Sequence, residues 1–173
     1  MPRIDPLPSV EGPLDINIMR TLAKHPKMLD AFGRMGGFLL SGRGFPGRER
    51  EIAILRVGWR SGSVYEFGQH TVIGKREGLT DDEIARLTSH SLDDWSADDA
   101  ALVRAADELC QSNVVSDATW ALLAARWSEE QLIELVICMG FYRLVSGFLN
   151  TIGVELDDGV PGWPVVGPAA KSG

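Results

Sequence analysis

The stretch REREIAILRVGWRSGSVYEFGQH runs from Arg48 to His70. Its apolar residues recur at helical spacing on both sides of Ser61-Gly62-Ser63, so it reads as two helices joined by a short break. The first covers about Pro46 to Trp59 and the second Val64 to Arg76. Glu66 and His70 are four residues apart and share one helix face. Glu51, one helix earlier, lies about as far from the break as His70 does, so an antiparallel hairpin turns the two toward each other.

Working outward, the rest of the middle also reads as helix after helix. One helix spans about Leu14 to Lys24, and another starts at Pro26, a residue suited to a first turn. Three later starts carry capping signals: Thr80 with Glu83, Ser96 with Asp99, and Ser128 with Gln131. The last helix, Glu129 to about Ile152, is apolar almost all round, as a core or interface helix is. Strand signals are nearly absent. The expectation is an all-α single domain over 1–173, a bundle of about seven or eight helices. The Pro/Gly-rich ends, 1–13 and 154–173, read as extended arms reaching toward a neighbouring subunit.

The chain has 173 residues, 45% apolar and 24% charged, as in an ordinary globular domain. Seventeen Lys and Arg against 24 Asp and Glu give −7, which argues against nucleic acid as a partner. No secretory signal opens the sequence, and the run LVICMGFY is too short to span a bilayer. Cys110 and Cys138 have no CxxC partner and sit in apolar settings, so no disulfide and a cytoplasmic, reducing home are expected.

An exposed Glu66–His70 contact is the plain alternative to a functional pair, worth a few tenths of a kcal/mol. Against it stand the flanking Tyr65, Phe67, Gly68, Val72 and Ile73, which shelter the face. A sheltered carboxylate beside an imidazole is an acid–base couple tuned by its surroundings. Glu51 has a plain reading too, as a first-turn carboxylate. The amides near Gly62 and Ser63 are placed to meet an anion. Among Arg48, Arg50, Arg56 and Arg60, one facing inward suits a ligand carboxylate, and the sequence leaves open which. Trp163 reads either as a tail anchor on another subunit or as aromatic surface for a larger substrate.

These residues resemble the carboxymuconolactone decarboxylase family, which includes the alkylhydroperoxidase D-like proteins. LDINIMRTLAKHPKMLDAFGRMGGFLL is similar to its opening helices, REREIAILRVGWR with YEFGQHTVIGKREGLTDDEI to its signature, and DDAALVRAADEL with SEEQLIELVICMGFYRLVSGFLN to its closing helices. The peroxidase branch carries Glu, Cys, His, Cys and His at the places of Glu51, Ser63, Tyr65, Glu66 and His70. Both cysteines are missing here, so the dithiol route lacks its nucleophile and its resolving thiol.

The resemblance to the decarboxylase branch implies loss of CO2 from a carboxylated butenolide with no added cofactor or metal. It implies His70 as proton donor, with Glu66 and Glu51 setting its tautomer and charge. Tyr65 and Ser63 are then expected near the developing oxyanion, and an arginine, taken as Arg56, on a substrate carboxylate. The partners implied are a small carboxylic acid or lactone and further copies of the chain in a trimer or hexamer. A non-catalytic binding protein on the same scaffold is the alternative, and an alkylhydroperoxidase-type antioxidant a weaker one.

Overall fold

The computed structural model describes residues 1–9, 12, 15–42 and 44–164. Eight helices follow one another among them: α1 Asn17–Leu22, α2 Pro26–Leu39, α3 Gly47–Arg60, α4 Val64–Arg76, α5 Asp81–Arg86, α6 Ala97–Ser112, α7 Asp117–Ala124 and α8 Glu129–Ile152. No strand occurs among the described residues.

Local chemistry sets most of the boundaries. Thr80–Glu83 and Ser128–Gln131 form reciprocal capping boxes. Ser96 accepts the Asp99 amide at 3.1 Å. α8 stops at Gly153 in the left-handed region, φ 76°. Two starts differ from the sequence reading. α7 opens on Ser116, which accepts the Thr119 amide and has no acid at the third place to announce it. α1 begins at Asn17, because Ile16 is extended and offers no capping side chain; the expected start at Leu14 lies outside the described residues.

α3 is the hub, with α4, α6 and α8 all packed on it. Ile52, Ile54, Leu55 and Val57 are completely buried, each such side chain contributing about 1.5–3 kcal/mol. α3 and α4 form the expected antiparallel hairpin, turned by Gly62 at φ 62°. α8 is the one described helix long and apolar enough to cross a bilayer, and half of its most apolar stretch is buried inside the fold.

Both described arms make contacts with their own chain. The Arg3 amide donates to the Ile152 carbonyl at 2.7 Å, and the Leu7 amide to the Arg20 carbonyl. The C-terminal arm crosses α4 so closely that a Cβ on Gly68 would meet the Pro161 carbonyl. Trp163 stacks on Phe67 of the same chain at 5.0 Å. Residues 165–173 of the tail lie outside the described residues.

Candidate active site

The hairpin brings Glu51, Glu66 and His70 together. His70 Nδ1 is 2.6 Å from Glu51 Oε2, and its Nε2 is 3.0 Å from Glu66 Oε1. Relative exposures of 0% for Glu51, 3% for Glu66 and 4% for His70 remove the surface-contact reading. Behind Glu51, Arg50 Nε donates to Oε1 at 2.9 Å. A line of groups results, Arg50–Glu51–His70–Glu66, in which each neighbour has the opposite charge when His70 is protonated. Tyr142 meets the imidazole edge-on at 4.7 Å between centroids.

Burial alone lowers the affinity of His70 for a second proton. The charges and hydrogen bonds of Glu51 and Glu66 outweigh that, and the pKa is pushed up from 6.5 to about 10. With carboxylate acceptors on both sides, both ring nitrogens carry protons at neutral pH.

One edge of this line faces a cavity of about 280 Å³ between α1, α2, α4 and α8. Glu66, Gln69 and His70 supply its polar corner, while Ile18, Phe32, Ile73, Phe141 and Val145 supply much of the wall. Among the described lining residues none is Lys or Arg, so the imidazolium is the only cation there. Gly33, Gly36 and Gly37 of α2 also line it, and they leave space that side chains would fill.

Three expected binding residues have other duties. Arg56 is turned away from the cavity. It grips Asp107 through two nitrogens at 2.6 and 2.7 Å, donates to the Leu87 and Ser89 carbonyls, and lies over Trp59 at 4.3 Å. Ser63 is fully buried and caps α4, accepting the Glu66 amide at 3.5 Å. The Gly62 and Ser63 amides, expected to meet an anion, donate to the Trp59 and Gly58 carbonyls. The Tyr65 ring does line the cavity, but its hydroxyl donates to Asp157 at 2.6 Å and accepts the Ile18 amide at 3.1 Å. That hydroxyl has no proton left for an oxyanion. Trp163 lies outside the lining of this cavity, against Phe67.

Neither cysteine lines the cavity. Burial raises both thiols above the usual range, Cys138 strongly, so neither is a ready thiolate.

Comparison with known proteins agrees with the fold. The putative antioxidant defence protein AhpD of Agrobacterium tumefaciens superposes with TM-score 0.72 at 15% identity, over 79% of this chain and 94% of that one. A peroxidase-related protein of Silicibacter sp. gives 0.77 at 14% identity, over 90% and 93%. The debrominase Bmp8, in complex with 2,3,4-tribromopyrrole, gives 0.72 at 17% identity, over 90% and 91%. No curated protein sequence matches the chain. Residues 26–108, which hold α2 through α5 and the whole Arg50–Glu66 line, match the model of the carboxymuconolactone decarboxylase family, and this part of the chain belongs to that family.

Proposed function

We propose that this protein is a carboxy-lyase-like enzyme that removes CO2 from a small lactone-type ring acid and returns a proton to the ring through Glu66, His70 and Glu51. The observation that carries the proposal is the buried line of alternating charges whose last carboxylate and imidazole edge open into an apolar cavity.

The chemistry follows from where protons sit. Glu51, fixed by Arg50, holds the Nδ1 proton, so the Nε2 proton points at Glu66. Transfer across that contact makes Glu66 a neutral acid facing the cavity. Breaking the C–CO2 bond leaves an electron pair spread over the conjugated ring. That carbon takes the proton from Glu66, and one proton from solvent restores the pair. The apolar wall strips water from the substrate carboxylate and favours the state in which charge is spread. Until its proton crosses to Glu66, the imidazolium steadies the negative charge developing on the ring.

The cavity also narrows the substrate. A dicarboxylate would bring a second charge to a wall without Lys or Arg among the described residues. A monoacid with an otherwise apolar ring suits it better. The debrominase of the same fold, seen with a brominated pyrrole, supports a flat five-membered ring as the size of ligand.

Incubation with butenolide monoacids in D2O tests the reading: CO2 release with one deuterium on the ring is expected, with Glu66→Gln nearly inactive. An unaltered acid recovered after tight binding points instead to a binding protein. That second reading is favoured by one observation, that both imidazole N–H groups already have carboxylate partners.

The proposal includes a homo-oligomer, trimer or hexamer. Ile133, Ile137 and Leu144 stand exposed on α8, with Met35 and Phe38 on α2, more apolar surface than isolated residues provide. A monomeric mass in solution removes it. A cytoplasmic location belongs to the same proposal, supported by two unpaired cysteines.

A further inference from the structure

The cavity wall is held from a distance. α1 carries Ile18 and Met19 into the cavity, with Ile16 just before it, yet its N-cap has no side chain to accept its first amides. Those amides are met from elsewhere. Asp157 Oδ1 accepts the Asn17 amide at 2.8 Å. Asp157 Oδ2 accepts the Tyr65 hydroxyl and Gln69 Nε2, both at 2.6 Å. The Tyr65 oxygen in turn accepts the Ile18 amide. Asn17 Nδ2 returns the grip by donating to the Glu155 carbonyl at 3.0 Å. Asp157 itself does not line the cavity.

We propose that Asp157 is the specificity-setting residue of the cavity: one carboxylate on the C-terminal arm pins α1 and the Tyr65–Gln69 edge of α4, and so fixes how large a ring the cavity admits. The argument is geometric. α1 is six residues long, too short to hold its shape alone. Its wall residues stay in place because their backbone is tied to Asp157 and Tyr65. The arm is in turn locked on α4 by its crossing over Gly68 and by Trp163 on Phe67. Loss of the carboxylate leaves the Tyr65 hydroxyl, the Gln69 amide and the Asn17 amide without their shared acceptor. The wall then yields outward, and selection against bulky ligands weakens.

This inference rests on the cavity being the ligand site, and its test needs no turnover. Hydrogen exchange of the Asn17 and Ile18 amides is measured in the wild type and in Asp157→Ala. In parallel, 2-furoate and anthracene-9-carboxylate are titrated as small and large ring-acid probes. Asp157→Ala is expected to speed both amides at least about tenfold, the scale of one charge-assisted hydrogen bond, with central α3 amides unchanged. The preference for furoate over the three-ring acid is expected to fall about tenfold. Should Asp157→Ala not fold, Tyr65→Phe, which loses only the hydroxyl, carries the same test at Ile18. Unchanged exchange at both amides, or an unchanged probe ratio with faster exchange, overturns the proposal. Absence of CO2 release alone counts against the decarboxylation reading and leaves this one standing.

Discussion

α3 buries two arginines, and they are treated in opposite ways. Arg56 has a bidentate carboxylate, two carbonyls and an indole face around its guanidinium. Arg50 is equally buried but makes one hydrogen bond, to Glu51. Its Nη1 and Nη2 have no hydrogen-bond partner among the described residues, and Glu77 approaches only to 3.6 Å. A fully satisfied buried ion is a fixture. A partly satisfied one holds a strong field over its neighbours, at a cost the fold must offset. One end of α3 is scaffold, and the other end polarises the Glu51–His70–Glu66 line.

The largest expected effect sits at the site end. His70→Ala should cut CO2 release by about 10²–10⁴-fold while the helical circular-dichroism signal stays intact. An unchanged rate takes the imidazole out of the reaction and makes both ends of α3 scaffold. At the other end, Asp107→Ala leaves Arg56 without its carboxylate and should cost about 3 kcal/mol in urea unfolding, with activity per folded molecule retained. Loss of turnover there without loss of stability would erase the distinction.

Smaller changes sharpen it. Gly68→Ala pushes against the Pro161 carbonyl and should cost about 1–3 kcal/mol as the arm is displaced from α4. Ser63→Ala removes a cap and should cost about 1 kcal/mol, with kcat unchanged. A large fall in kcat for that variant would restore Ser63 as an oxyanion partner.

The sequence carried the hairpin because two signals agree in it, helical periodicity on each side and a glycine break between. Glu66–His70 followed from spacing on one helix, and Glu51 from equal distance to the turn. The choice of arginine did not follow. Six residues at about 100° each turn Arg56 about 120° away from Arg50, and only the packed neighbours say which direction is inward. Tyr65 was singled out for its hydroxyl, but that hydroxyl's partner, Asp157, is 92 residues further on. No local pattern encodes such a pairing. α2 did carry an unused signal: Gly33, Gly36 and Gly37 each cost a helix about 1 kcal/mol against Ala, which points to space kept open beside them.

The central claim is that His70 is an imidazolium held between two carboxylates, and its ring nitrogens report this directly. Its folded pKa, raised to about 10, lies above the ordinary 6.5. The stability contributed by the charged pair is therefore fully present below pH 6.5 and is lost as pH rises through about 10. Imidazole ¹⁵N resonances of His70, followed from pH 6 to pH 11, should show both nitrogens protonated at pH 7 and a titration near pH 10. A neutral ring already at pH 7, titrating at or below 6.5, would contradict the account.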